Sequence, residues 1–146
     1  MSHAMIVYGI PAPQGSKTKM PNGAMVEGSS ATGRAMLADW VSACADAAAR
    51  HAGYTHTETG PLEITVQFRF PMPKSRKKAT KEARVAWKVG KPDLDKLCRA
   101  LGDSLAAGGL IARDELIVSW IATKVEVWEQ WTGAIVQLRR MELVTP

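Results

Sequence analysis

The sequence predicts a small α/β (α+β) domain with elements in the order β-α-β-α-β-β, a mixed sheet with helices packed on it. Three observations carry that expectation. Residues 62–70 alternate apolar and polar without a break, and apolar positions recur at helical spacing over 32–52 and again over 95–107. Near the C-terminus, two runs rich in β-branched and aromatic residues read as strands. At 146 residues the chain fits one domain, 1–146, long enough to bury a core and too short for two.

Taken in order, MIVYGI over residues 5–10 reads as a short strand stopped by Pro11. Residues 11–30 are rich in Pro, Gly, Ser and Lys and read as a long loop, with a hairpin suggested around Pro21-Asn22-Gly23. In the first helix Met36, Leu37, Trp40, Val41, Cys44 and Ala48 form the apolar stripe. Ser30 and Thr32 both suit its N-cap, and Gly53 is placed to end it. In the strand over 62–70, Leu62, Ile64, Val66, Phe68 and Phe70 face one way, and Glu63, Thr65, Gln67 and Arg69 the other. A basic segment follows, opened by Pro71-Met72-Pro73; its middle, 80–88, reads either as one or two helical turns or as a mobile loop. The second helix, 95–107, has Leu94, Leu97, Leu101 and Leu105 on its core stripe and stops at Gly108-Gly109. Residues 116–128 and 134–143 are the last two strands, expected to pair as a hairpin about a turn at 130–133.

Composition removes several classes of function. No run of about eighteen apolar residues is present, so no membrane-spanning helix is expected. The N-terminus lacks the charged-then-apolar order of a secretory signal. Cys44 and Cys98 lie far apart, each within a helical pattern, and read as buried thiols of a reducing cytoplasm. Without a CxxC pair or a cysteine–histidine cluster, a structural zinc site is not expected. His51 and His56 are isolated from each other and from the acids discussed below. Trp40, Trp120, Trp128 and Trp131 read as core or dimer-interface residues.

The net charge of +5 is unevenly spread. Lys74, Arg76, Lys77, Lys78, Lys81, Arg84, Lys88 and Lys91 fall within eighteen positions that contain a single acid, Glu82. Such a single-sign block points to a polyanionic partner, most often nucleic acid. Trp87 lies among these charges, suited to pack on a sugar or base. Lys17, in the early loop, is a second candidate DNA contact.

Directly after the block, Asp93 and Asp95 bracket Leu94 at the entry to the second helix. In an extended entry, residues i and i+2 point the same way while Leu94 turns into the core. Two carboxylates on one side repel unless a cation lies between them, and a hard divalent ion with oxygen ligands at roughly 2.1 Å relieves that repulsion. An N-cap role for Asp95 and a solvated position for Asp93 are the plain alternatives. Arg99 stands one turn beyond Asp95, placed either to stabilise charge building on a phosphate or to form an i,i+4 salt bridge. Asp114 follows the Gly-Gly break and reaches the first pair only if helix and following strand run antiparallel. Metal-held carboxylates with a neighbouring cation are the parts that phosphodiester hydrolysis requires.

The run Lys91-Pro92-Asp93-Leu94-Asp95-Lys96-Leu97, with Arg99, Asp103 and Asp114, resembles the RusA family of Holliday junction resolvases, especially its phage-borne branch. Ile10-Pro11-Ala12-Pro13-Gln14-Gly15-Ser16 is similar to that family's Pro-rich loop, and Phe70-Pro71-Met72-Pro73-Lys74-Ser75 to its segment after the second strand. The resemblance implies a RusA-like fold and a homodimeric, Mg²⁺-dependent nuclease, with Mn²⁺ as an alternative ion, acting in DNA recombination and repair. It implies paired nicks across a four-way DNA junction in a bacterial or phage-infected cell. Carried over by residue, Asp93, Asp95 and Asp114 become metal ligands, Arg99 takes the place of an essential lysine, and Asp103 supports them from the helix. Lys96 and Lys124 join the basic segment as DNA-facing cations. Three departures stand out: Lys96 replaces an Asn, Arg113 replaces the first of two acids, and Arg99 keeps a lysine's charge without its capacity as a general acid. The rival readings are a branched-DNA-binding module without turnover and a flap or single-strand nuclease. The acid-x-Lys pattern of the restriction-endonuclease-like fold does not follow Asp93.

Overall fold

The computed structural model describes residues 2–15, 17–19, 25–27 and 30–142. Strand β1 spans Ser2–Tyr8, and the short strands β2 (Lys17–Lys19) and β3 (Met25–Glu27) pair antiparallel as a separate two-stranded sheet. The turn expected at Pro21-Asn22-Gly23 lies outside the described residues. Helix α1 covers Ala31–Tyr54, strand β4 Leu62–Pro71, helix α2 Lys78–Ala83 and strand β5 Val85–Trp87. Helix α3 is Leu94–Ala107, strand β6 Ile117–Val127 and strand β7 Gly133–Arg140. The class is α+β, with a mixed five-stranded sheet in the order β1-β7-β4-β6-β5.

Local rules account for most boundaries. Ser30 caps α1 by accepting a hydrogen bond from the Gly33 amide at 3.1 Å. The helix runs through Gly53 and stops one residue later, at Tyr54, where the Thr55 amide closes on the His51 carbonyl at 3.2 Å. Gly53 is therefore no terminator: nothing in its surroundings demands a left-handed turn. Gly109, at φ +82°, does end α3. The middle of the basic segment folds as α2 and then β5, joined by Arg84 at φ +67°.

The last two strands do not form a hairpin. β7 pairs antiparallel with β4 and with β1, while β6 pairs parallel with β4. β4 thus lies between the two strands that adjoin in sequence. Its five apolar positions from Leu62 to Phe70 are each at most 5% exposed, a burial that only a central strand provides. The parallel β4–β6 pair needs a long crossover, and α3 supplies it. The 128–132 connection crosses the end of β4. There Arg69 donates from Nε to the Trp131 carbonyl at 3.3 Å and lies 4.3 Å from the centre of its ring.

The core forms on one face of this sheet, where Trp40 and Cys44 of α1 and Leu97, Leu101 and Leu105 of α3 meet Ile64, Val66, Phe68 and Val136. Cys44 is a free buried thiol, pushed up to about 12 by burial. The helix-free face keeps Ile6, Tyr8 and Ile121 exposed.

Candidate active site

The site is assembled where α3 lies against β6. Lys124, late in β6, meets the segment just before α3, while Ile117 and Trp120, early in β6, face Gly102 in the second half of the helix. Helix and strand are therefore antiparallel. The connection between them is held from below by buried Glu58. Its amide donates to the Leu110 carbonyl at 2.8 Å, and its own carbonyl accepts from Ala112 at 2.9 Å. Arg140 donates to the Glu58 carboxylate at 2.9 Å, which raises the guanidinium further above its ordinary value. Leu110 and Ile111 are fully buried, and the chain is delivered to Asp114, which opens a single 3₁₀ turn ahead of β6.

Asp93 occupies the N-cap position of α3, extended at φ −68°, ψ 137°, with no capping bond from its side chain. Its carboxylate lies 3.8 Å from the Lys96 ammonium. Asp95 sits in the first turn, where the positive end of the helix dipole favours an anion. It is not the cap. Arg99 follows one turn later, and among the described residues it forms no ion pair, with Asp95 or any other acid.

Asp95, Arg99 and Asp114 line one cavity of about 650 Å³, whose remaining wall is apolar and includes Leu94, Ile117 and Trp120. Asp95 and Asp114 are exposed, and among the described residues neither carboxylate is engaged in an ion pair or a side-chain hydrogen bond. Cys98, in the same wall, is pushed up to about 11, chiefly by burial and further by the Asp95 carboxylate, so it remains a neutral thiol. Asp93 does not line the cavity. Nor do the three aspartates close into a ready-made chelate: among the described residues no three His, Cys, Asp or Glu side chains are grouped to hold a metal ion. Asp103 lies on another side of α3, in the groove against α1.

The basic residues divide into committed and available ones. Arg76 grips the buried Glu126 carboxylate through Nε at 2.5 Å and a second nitrogen at 3.1 Å, an ion pair that raises its guanidinium further. Lys81 stacks over Trp128 at 4.6 Å and Lys88 over Phe70 at 4.9 Å, while Arg84 donates to the Glu129 carbonyl at 3.2 Å. Lys78 is 3.8 Å from Glu82. Lys74, Lys77 and Lys91 are exposed and, among the described residues, unpaired. The side chain of Lys17 lies outside the described residues.

Lys124 faces inward. Its ammonium donates to the carbonyls of Gly90 and, at 2.6 Å, Pro92, stapling the turn that precedes Asp93. That role was accessible from the alternation of β6, which puts Trp120, Ala122, Lys124 and Glu126 on the core-side face in register with Ile64, Val66, Phe68 and Phe70. The partners of Lys124 and Glu126 were not, because they lie on other elements.

Two carboxylates and a cation, without ion pairs among the described residues, border one cavity, and exposed lysines lie on the basic segment that leads to it. The family is then specific: residues 12–139 match the family model of the endodeoxyribonuclease RusA, and the chain belongs to that family. It is accordingly an endodeoxyribonuclease, in a family that resolves Holliday junctions and whose nucleases are generally dependent on a divalent metal. No curated protein sequence matches the chain. No helix among the described residues is long and apolar enough to cross a membrane.

Proposed function

We propose that this chain is a Mg²⁺-dependent resolvase that cuts four-way DNA junctions by paired nicks, with Asp95, Arg99 and Asp114 as the catalytic side chains. The observation that carries the reading is that these three line one cavity while, among the described residues, none is neutralised by an ion-pair partner. Unpaired charges of both signs around one cavity are poorly explained by stability and well explained by a charged ligand.

The donor set fits a hard divalent ion. Carboxylate oxygens alone suit Mg²⁺ and equally Mn²⁺, and those of Asp95 and Asp114 are uncommitted among the described residues. Asp93 would complete the set once freed from Lys96, a contact already stretched to 3.8 Å between half-exposed groups and therefore weak. When bound, the ion supplies an activated water and polarises the phosphoryl oxygens. The chain's own residues do the rest. Lys124 holds the 90–92 turn so that Asp93 and Asp95 enter the helix in a set position. Arg99 offers a fixed cation to the phosphate as its charge grows, and it serves as an electrostatic group only, because a guanidinium holds its proton.

Lys74, Lys77 and Lys91 contact phosphates in this reading, with Lys78 within reach of them. Two nicks in one junction call for two sites, hence a homodimer whose two-fold symmetry matches the junction. The exposed Ile6, Tyr8 and Ile121 on the helix-free sheet face suit such an interface. The setting is the cytoplasm of a bacterial or phage-infected cell.

The test is Asp95→Asn on a synthetic four-way junction with Mg²⁺. Cleavage falls about 10²- to 10³-fold, while junction binding in EDTA is kept or tightened. Retained cleavage, or binding lost together with cleavage, rejects the assignment. Linear duplex and flap substrates run alongside decide against the single-strand reading if the four-way junction is cut best.

A further inference from the structure

A second cavity, of about 370 Å³, opens beside the site between the Pro-rich loop and the basic segment. Pro11, Pro13, Phe70 and Pro92 wall it, and Lys88 and Lys91 are its charged members. Among the described residues no acid lines it, in contrast to the cavity that holds Asp95 and Asp114. Prolines have no amide N–H, so these walls offer apolar surface without donors.

The walls are fixed from three directions. The Gln14 amide donates to the Lys96 carbonyl at 3.2 Å, tying the Pro-rich loop to α3, and neighbouring Ala12 is buried as an anchor. Lys124 holds Pro92, and the Lys88 amide donates to the Lys124 carbonyl at 3.1 Å. Phe70, the last core position of β4, forms the floor, with the Lys88 ammonium 4.9 Å from its ring. Lys91 and Pro92 directly precede Asp93, so the cavity begins one residue upstream of the acidic site.

We propose that this cavity takes one unstacked nucleotide of the DNA next to the bond that is cut, with its base against the prolines and the Phe70 ring, which the Lys88 ammonium leaves to meet the phosphate together with Lys91. Apolar walls with Lys88 and Lys91 at the rim suit a group that is flat and apolar at one end and anionic at the other. A nucleotide displaced at a branch point is such a group, and base-on-aromatic packing is tolerant of base identity. The proposal rests on the resolvase reading only for the source of that nucleotide.

The experiment uses the full chain in EDTA, with 2-aminopurine placed singly at the nucleotides around the branch of a four-way junction and, separately, in a short single strand. Wild type raises the emission at one junction position and in the single strand. Met36→Trp, an exposed wall residue on α1 enlarged to fill the cavity, removes that rise and weakens single-strand binding by about fivefold or more. Lys88→Met and Lys91→Met each make the salt slope on the single strand shallower by about 0.7. No emission change on either DNA, or a change that survives Met36→Trp, overturns the proposal. A single-strand signal removed by Met36→Trp, with the junction neither preferred nor cut, supports the cavity and rejects the resolvase reading instead.

Discussion

Helix α3 borders two cavities of nearly equal size. On its β6 side, about 650 Å³ is lined by Asp95, Arg99 and Asp114 among apolar residues. On its α1 side, about 640 Å³ is lined by Leu37, Ala38, Val41, Ala45 and Ala100, with Arg34 and Asp103 as the charged members. Arg34 and Asp103 are both engaged in interactions, whereas Asp95, Arg99 and Asp114 have none with an opposite charge among the described residues. Volume does not distinguish the two sides of the helix. The contrast lies in the charges: Asp95 and Arg99, one turn apart on α3, line one cavity without pairing with each other.

The sharpest way to break this comparison is to change one charged residue on each side. Arg99→Ala removes the cation that, among the described residues, lines the β6-side cavity alone, and lowers single-turnover cleavage about 10²- to 10³-fold. Arg99→Lys restores part of it, since the charge returns without the planar fork. Asp103→Asn, by contrast, changes the rate by less than about threefold. Equal losses for Arg99→Ala and Asp103→Asn would mean that the two sides of α3 act as one site.

The next effect falls on stability and on the α1 side. Gly108 lies where α3 ends against α1, and a methyl group there would stand 2.4 Å from the Ala45 carbonyl oxygen and 2.7 Å from the Ala48 side chain. The first neighbour is backbone and cannot swing aside, so the helices must separate. Gly108→Ala is expected to cost about 1–3 kcal/mol, read as a lower Tm, with the cleavage rate per folded molecule unchanged. A rate loss as large as that of Arg99→Ala would dissolve the division between a structural and a chemical side.

Much of this was legible along the chain. Period-two alternation marked β4, the Leu94-Leu97-Leu101-Leu105 stripe marked α3, and the placement of Asp95 and Arg99 pointed to the helix that borders the candidate site. These signals survive because each depends on neighbours within a turn or a strand. Strand order did not survive: β6 and β7 read as a hairpin because they adjoin, yet the stronger demand was that β4 be covered on both edges. The basic segment was legible as charge but not as structure. Arg76 finds Glu126 fifty positions away, and Lys124 finds Pro92 thirty-two positions back, so two cations read as DNA-facing serve first to hold the chain in place.

The smallest effect is the most discriminating between the two sides. Gly102 lies on α3 in the floor of the β6-side cavity, and a methyl group there would meet the tips of Ile117 and Trp120 at 3.4 Å, contacts that flexible side-chain ends can accommodate. Replacing a helix-interior glycine also recovers about 0.5–1 kcal/mol of backbone entropy. Gly102→Ala should therefore leave Tm unchanged or slightly raised, opposite in sign to Gly108→Ala six residues on. The same methyl is added to the wall that Gly102 shares with Asp95, Arg99 and Asp114, so cleavage should slow by only a few-fold. Paired melting curves and single-turnover rates read both signs at once. A Tm that falls as far as for Gly108→Ala would mean that this floor is packing rather than cavity, and the β6 side would lose its distinction from the α1 side.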